Sequence, residues 1–228
     1  MVLITVPLDS IGSGFLNGEL FIPRNRKGLI VFAHGSGSGR ASPRNQHVAN
    51  VLNQNGFATF LVDLLTQGEQ LSDLKSQKIL DKYPTLTLNK FNINLLARRL
   101  EIATTWLIEI KADVKNLPIG YFGSSTGAAA AIEASIFLDN VMAIVSRGGR
   151  PDLADSESIK NVKASTLLIV GSKDSKTIID LNKKVFKQLR NVKSKKVVMI
   201  QDAGHLFEED GAIEHVSQES TRWFAVNL

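Results

Sequence analysis

Short apolar runs, each bounded by turn residues, alternate along the chain with stretches of helical periodicity. Six runs rich in Val, Ile, Leu and Phe lie at 29–33, 57–62, 119–122, 141–145, 167–170 and 197–200. Continuous apolar runs of this length are typical of strands buried on both faces of a parallel sheet. Between them, helices are predicted over 43–55, 88–112, 126–138, 177–189 and 213–226. The alternation predicts an α/β fold, with helices on both faces of a mostly parallel sheet.

The N-terminal region departs from this alternation. Segments 3–8 and 19–22 have strand composition and are joined through Gly12, Gly14 and Asn17-Gly18, with no helical pattern between them. This arrangement predicts an antiparallel hairpin that leads into the parallel sheet.

The longest stretch without a regular pattern is 64–87, which includes Tyr83-Pro84. A loop of this size is usually functional or mobile, so we expect it to influence substrate choice. The chain shows no internal repeat or linker, and a single domain over 1–228 is expected.

Composition narrows the classes of function. The 228 residues are 43% hydrophobic and 21% charged, as in ordinary globular proteins. There is no apolar window long enough to span a membrane and no signal-peptide pattern, so a cytoplasmic protein is expected. The absence of cysteine excludes disulfides, cysteine zinc sites and a cysteine nucleophile.

The net charge of +5 carries little information about partners. Many of the basic residues lie between 181 and 197, and no aromatic residues interleave there for base stacking, so a solvated helix surface is favoured over nucleic-acid binding. We expect a small-molecule substrate, no nucleic acid, no membrane, no cofactor and no metal. A monomer and a homodimer both remain open.

A serine lies at the centre of a G-x-S-x-G motif where a predicted strand meets a predicted helix. The motif, 123–127 (GSSTG), follows Phe122 and precedes a run of alanines. In a nucleophile elbow, the central serine occupies a strained turn between strand and helix, which exposes its hydroxyl at the carboxyl edge of the sheet. Ser125 is therefore the candidate nucleophile.

A second glycine-rich loop, 34–40 (HGSGSGR), follows the first of the parallel strands. A dinucleotide fingerprint would need glycine where the chain has Arg40, and the Gly-Lys-Ser/Thr of a phosphate-binding P-loop is absent. In hydrolases with a nucleophile elbow, an N–H of such a loop and the N–H after the nucleophile form an oxyanion hole. We expect Ser36 and Thr126 to supply them, and His34 to be structural.

A serine nucleophile needs a general base, and two histidines lie C-terminal to Ser125. His205 stands in the segment 202–206 (DAGHL), just beyond the last apolar run, whereas His215 falls inside the last predicted helix. A loop after a strand can bring a ring over the sheet edge, so His205 is the expected base.

The histidine base needs a carboxylate that holds its ring in one tautomer. Asp174 follows the strand 167–170 and gives the chain order Ser, Asp, His of α/β-hydrolases. Asp202, which lies three residues before the candidate base, remains an alternative, as do Asp152 and Asp155.

Taken in order, the HGSGSG loop, the GSSTG elbow, the GSKD turn and the DAGH loop resemble those of α/β-hydrolases, and within them the dienelactone hydrolase-like group. The resemblance covers nearly the whole chain. The segments 42–45 (SPRN) and 146–152 (SRGGRPD) also resemble stand-alone and phosphoribosyltransferase-fused hydrolases of this group. The resemblance implies an eight-stranded, mostly parallel sheet. Authentic dienelactone hydrolases carry a cysteine nucleophile, whereas this chain has Ser125, which favours a serine esterase mechanism.

These residues predict a hydrolase that cleaves an ester or lactone through an acyl-enzyme. Arg40, Arg44, Arg147 and Arg150 lie on two loops that follow strands. Arg40, Arg147 and Arg150 are the candidates to bind a carboxylate or phosphate on the substrate, with structural pairing or solvation as the alternative.

Two other functions remain open at this point. A nucleotide- or phosphate-binding α/β module would use the loop 35–39 at a helix N-terminus, with Asp63 on a ribose, although it leaves the order Ser, Asp, His unexplained. A hydrolase fold can also serve as a non-catalytic binding protein, because fold does not determine function.

Overall fold

An eight-stranded sheet runs through the computed structural model, which describes residues 1–8, 14–80 and 87–228. The strands are β1 (Val2–Pro7), β2 (Phe15–Phe21), β3 (Gly28–Ala33), β4 (Phe57–Val62), β5 (Ile119–Ser124), β6 (Val141–Arg147), β7 (Ser165–Gly171) and β8 (Lys195–Ile200). Their spatial order is β1-β2-β4-β3-β5-β6-β7-β8. β2 pairs antiparallel with β1 and β4, and the other pairs are parallel. The predicted mostly parallel sheet with an N-terminal antiparallel hairpin is confirmed.

Helices cover both faces of this sheet. They are α1 (Pro43–Gln54), α2 (Gln67–Gln77), α3 (Ile93–Ile110), α4 (Thr126–Ser135), α5 (Ser156–Asn161), α6 (Lys176–Gln188) and α7 (Ala212–Asn227), with short 3-10 turns at Asn89–Phe91 and Pro151–Leu153. Alternate residues of β3 belong to two separate hydrophobic clusters: Leu29 and Val31 pack with α3 and α4, whereas Ile30 packs with α1 and α7. This period of two places one core on each face.

The connections place a crevice at the carboxyl ends of β3 and β5. From β3 the chain crosses through α1 to β4 on one side, and it later returns through α3 to β5 on the other side. In open α/β sheets, ligands bind where the strand order reverses in this way. The fold thus brings the loops after β3 and β5 together at its switch point.

The whole segment 64–87 was predicted to be irregular, and this is wrong for the part that forms α2. Thr66 and Glu69 form a capping box at its N-terminus, a pattern already present in the sequence as T-x-x-E. Arg99 of α3 forms an ion pair with Glu69 and also donates to the carbonyl of Leu64, 3.1 Å away, which fixes the helix start. Tyr83-Pro84 lies outside the described residues.

The hairpin also differs in detail from its prediction. Asn17-Gly18 lies inside β2 rather than in a turn, with Gly18 opposite Ile4. A Cβ on Gly18 would come within 2.3 Å of the Phe60 ring, so this glycine allows close packing. Gly12 lies outside the described residues.

The helix boundaries differ by a few residues from those predicted. The largest shift is at α3, which begins at Ile93 because the Asn92 side chain accepts a hydrogen bond from the N–H of Leu95. Among the described helices, none has both the length and the hydropathy needed to cross a membrane.

Candidate active site

Ser125 occupies a strained position between β5 and α4. Its backbone has φ 50° and ψ −122°, a region that residues with a side chain rarely adopt. The flanking glycines allow the helix to pass close to the sheet, because a Cβ on Gly127 would lie 2.1 Å from the carbonyl oxygen of Ala33 and one on Gly123 would lie 2.6 Å from Ala128 Cα. The geometry at Ser125 is that of a nucleophile elbow.

The end of β6 and the loop that follows it hold this turn through main-chain hydrogen bonds. The Ser125 carbonyl accepts a hydrogen bond from the N–H of Arg150 at 2.9 Å, and the Ser125 N–H donates to the carbonyl of Arg147 at 3.4 Å. Both main-chain groups of Ser125 are therefore held, so the position of its hydroxyl depends mainly on its own side-chain torsion.

His205 and Asp174 are brought together from the loops after β8 and β7. His205 Nδ1 lies 2.8 Å from Asp174 Oδ2, and the Asp174 side chain is 4% exposed. The second carboxylate oxygen of Asp174 accepts from the N–H of Ser175 at 2.7 Å. Because the carboxylate occupies Nδ1, Nε2 of His205 is the nitrogen left for a substrate or a hydroxyl.

The loop that carries His205 is itself held in an unusual conformation. Asp202 and Phe207, on either side of it, have φ of 62° and 56°. The N–H of Lys173 donates to the carbonyl of Ala203 at 2.9 Å, which joins this loop to the turn that carries Asp174. Backbone strain at loops supported in this way is typical of functional sites.

The alternative acids have other partners. Asp202 pairs with Lys173 at 3.1 Å, Asp152 pairs with Arg150 at 2.8 Å, and Asp155 caps α5. The alternative base, His215, lies within α7.

A cavity of about 350 Å³ contains both Ser125 and His205 in its wall. The remaining lining residues are Gly35, Ser36, Gly37, Ser38, Arg44, Ser124, Arg147, Gly148 and Leu206. Gly35 approaches the elbow so closely that a Cβ on it would lie 2.8 Å from Ser125 Cβ. The structure therefore places the glycine loop, the elbow and the histidine loop around one space. Thr126, the first residue of α4, directly follows Ser125.

His34 anchors the glycine loop from the buried side. The N–H of Leu64 donates to Nε2 of His34 at 2.9 Å, so the neutral ring carries its proton on Nδ1 and donates it to the carbonyl of Gly35 at 2.9 Å. Burial lowers the pKa of His34. The ring is thus a neutral spacer that sets the orientation of the peptide between Gly35 and Ser36.

The three candidate arginines occupy different places. Arg40 pairs with Asp63, and Arg150 forms a two-pronged contact with Asp152 at 2.8 and 2.9 Å; neither lines the cavity. Arg147 lines the cavity and is buried, with Nη2 3.3 Å from Asn45 Oδ1.

Sequence reasoning did not single out the two residues that pack against Arg147. Asn45 lies in the first turn of α1, and the ring of Phe207 lies 5.9 Å from the Arg147 guanidinium carbon. The SPRN segment contains Asn45, but nothing local predicts its contact with a residue 102 positions away. Within the described ranges, no group of three acidic, histidine or cysteine side chains could hold a metal ion.

Comparison with known proteins identifies relatives over nearly the whole chain. The sequence model of the dienelactone hydrolase family matches residues 16–226. Two Mycobacterium tuberculosis proteins, from strains CDC 1551 and H37Rv and each described as a candidate phosphoribosyl transferase, are 43% identical over 212 residues. The match covers 92% of this chain and 44% of each relative, so the chain spans less than half the length of these curated relatives.

Solved structures give the same picture. A dienelactone hydrolase from Anabaena variabilis is 45% identical with a TM-score of 0.88, and the alignment covers 100% of this chain and 97% of that one. Est1E from Butyrivibrio proteoclasticus, also solved with ferulic acid bound, is 15% identical with a TM-score of 0.75, over 99% of this chain and 98% of that one. At that identity the second likeness concerns the fold alone.

Proposed function

The chain belongs to the dienelactone hydrolase family, and from this premise we propose that it is a serine hydrolase that cleaves an ester or lactone bond of a small substrate. The observation that carries the proposal is the strained Ser125 elbow in the wall of the same cavity as His205, whose ring contacts Asp174. A hydroxyl, an imidazole and a carboxylate in this order are the parts of an acyl-transfer site.

In the proposed reaction, Ser125 Oγ attacks the substrate carbonyl and gives its proton to His205 Nε2. The Asp174 carboxylate accepts the hydrogen bond from His205 Nδ1–H and stabilises the imidazolium that forms. Collapse of the tetrahedral intermediate breaks the bond to the leaving oxygen, which takes the proton from His205. Water then attacks the acyl-enzyme carbonyl and gives a proton to His205. Collapse of this second intermediate returns the proton to Ser125 Oγ and releases the acid.

The developing oxyanion would be held by two main-chain N–H groups. Thr126 N–H belongs to the first turn of α4, where N–H groups have no acceptor within the helix. Ser36 N–H has no acceptor among the described residues, and it adjoins the peptide that His34 orients. Loss of one such donor typically lowers the rate by about 10²-fold or more.

The alternative of a nucleotide-binding module is disfavoured by one contact. Asp63, the residue expected to bind a ribose, is 5% exposed and paired with Arg40. We further propose that any phosphoribosyl transfer by the Mycobacterium tuberculosis relatives resides in the part of those proteins outside the match, because the match covers 92% of a chain that belongs to a hydrolase family.

The test is turnover of a panel of short-chain esters, lactones and thioesters by the wild type, Ser125→Ala and the matched neighbour Ser124→Ala. We expect Ser125→Ala to lose at least 10³-fold in kcat/KM and Ser124→Ala to stay within tenfold of the wild type. Full activity of Ser125→Ala would refute the assignment. Covalent labelling of Ser125 by a fluorophosphonate would distinguish an active hydrolase from a non-catalytic binding protein.

A further inference from the structure

A buried arginine borders the proposed catalytic cavity without a carboxylate to balance its charge. Arg147 is 5% exposed and lines the same cavity as Ser125. Within the part of the chain that the structure describes, its side chain has one hydrogen-bond partner, the neutral amide of Asn45, and its Nε has none. The ring of Phe207 covers the guanidinium but carries no net charge. A buried cation in such a setting is unfavourable until a counter-charge is supplied.

The other buried arginine is treated differently by the fold. Arg99, also 5% exposed, pairs with Glu69. The half-buried Arg40 and Arg150 pair with Asp63 and Asp152. Arg99, Arg40 and Arg150 are thus each paired with a carboxylate of the chain. Arg147 has no such carboxylate among the described residues, so its counter-charge is expected to come from a bound ligand.

A second cation faces the same space. Arg44 lines the cavity, and its charge, after burial, is the second cause that lowers the pKa of Arg147 to about 10. With a pKa of about 10, the Arg147 guanidinium remains charged at neutral pH. The acid that pairs with Arg44 is Glu208, whose side chain is 62% exposed and whose attraction is therefore weakened by water.

The start of α1 adds to this positive field. Arg44 and Asn45 lie in its first turn, which contains no acidic residue, and Ser42 caps the helix without a side-chain hydrogen bond. No acidic residue of α1 itself compensates the positive end of the helix dipole, and a nearby carboxylate, that of Glu208, pairs with Arg44.

We propose that the substrate carries a phosphate monoester, whose dianion is bound by Arg147 and Arg44 beside the scissile carbonyl. This rests on the proposed esterase function of the cavity. The positive charge of two guanidiniums and a helix N-terminus is balanced by about two negative charges, whereas a carboxylate carries one. A phosphate monoester carries roughly −1.5 to −2 at pH 7 and offers three acceptor oxygens to the two guanidinium forks.

Glu208 then acts as a competitor for Arg44. In the free protein its carboxylate occupies Arg44, and the bound phosphate would displace it into solvent, where it is already largely exposed. Removal of this carboxylate should therefore strengthen phosphate binding, while removal of either arginine should weaken it. The opposite signs distinguish a built anion site from a general effect of net charge.

The binding test needs no turnover. Calorimetric titration of the full chain carrying Ser125→Ala compares glycerol 3-phosphate with butyrate and with glycerol. We expect glycerol 3-phosphate to bind at least tenfold more tightly than butyrate, and glycerol not to bind. Adding Arg147→Gln should weaken the binding of glycerol 3-phosphate at least tenfold, because charged hydrogen bonds to the phosphate are lost. Glu208→Gln should raise the affinity for glycerol 3-phosphate about two- to fivefold. The surface control Arg222→Gln on α7 should leave this affinity unchanged.

Several outcomes would overturn the proposal. These are equal affinity for glycerol 3-phosphate and butyrate, or unchanged phosphate affinity in Arg147→Gln with a native circular dichroism spectrum. If Arg147→Gln does not fold, Arg44→Gln at the cavity rim takes its place, and unchanged affinity in that variant would also overturn it.

A second arm uses matched p-nitrophenyl esters whose acyl chains end in a phosphate, a carboxylate or a methyl group. The phosphate ester should have the highest kcat/KM, and Arg147→Gln should lower that value by a larger factor than it lowers the value for the methyl ester. A preference for the carboxylate ester would overturn the phosphate assignment. Absence of all turnover together with retained phosphate binding would refute the esterase function and not the anion site.

Discussion

The strained backbone of Ser125 leads to a prediction about stability that is independent of substrate. With φ 50° and ψ −122°, Ser125 adopts a conformation that glycine accepts and other residues resist. Ser125→Gly should therefore be more stable than Ser125→Ala, although both variants lack the hydroxyl and should be inactive. The comparison with alanine isolates the backbone, because neither variant has the Oγ and only alanine keeps a Cβ.

The size of the effect follows from two opposing contributions. A backbone in a sparsely populated region costs about 1–3 kcal/mol. Glycine loses more conformational freedom on folding than alanine, which costs about 0.4–1 kcal/mol. The net gain for Ser125→Gly over Ser125→Ala is therefore about 1 kcal/mol, or roughly 2–4 °C in Tm for a chain of this length.

Thermal and urea unfolding of the two variants measure this difference, and Ser124 provides the matched control. Ser124 is the last residue of β5 and its φ is not positive, so at that position glycine should be less stable than alanine by about 0.5–1 kcal/mol. Two results would contradict the inference of strain at Ser125. One is that Ser125→Gly is no more stable than Ser125→Ala, and the other is that the glycine variant is the more stable one at both serines.

Three further changes test other parts of the site. Asp174→Asn should lower kcat for a neutral ester by about 10³–10⁴-fold without unfolding the chain, as checked by kinetics and circular dichroism; a loss below tenfold would contradict its orienting role. Burial lowers the pKa of His34 from its usual 6.5, so below that pH the unfolded chain binds the proton more readily and stability falls, by up to about 1.4 kcal/mol per pH unit. The stability advantage of the wild type over His34→Asn should accordingly shrink from pH 7.5 to 5.5, whereas a constant difference would argue against a buried neutral ring. Gly127→Ala should destabilise by about 3 kcal/mol or prevent folding, because the new Cβ would lie 2.1 Å from the Ala33 carbonyl; near-native urea unfolding would disagree with that packing.

Local signals in the sequence predicted most of the sheet. The six apolar runs correspond to β3 through β8. Four of these strands, β3, β4, β5 and β7, are buried at every position, as expected for strands covered on both faces, whereas the edge strand β8 is mostly half-buried or exposed. The elbow motif was equally readable, since glycine, serine and glycine are the residue types that a tight strand-to-helix turn requires. The segment of α2 was missed although its capping box was present, because long-range contacts such as that of Arg99 to Glu69 hold it.

The single-domain organisation and the cytoplasmic location stay predictions. The roles of Ser125, His205 and Asp174 also stay predictions, although the structure places the first two in one cavity wall and the third against His205.

Local sequence patterns predicted the strands of the sheet, five of the seven described helices, the position of the elbow, and the residue types available at each strand end. Which of these side chains meet is a property of the folded chain. Asp174 rather than Asp202 contacts His205, and Arg147 rather than Arg40 reaches the cavity. The physical reason is that periodicity and turn chemistry act over a few residues, whereas the partner of an ionic side chain depends on which loops the crossovers bring to the same edge of the sheet.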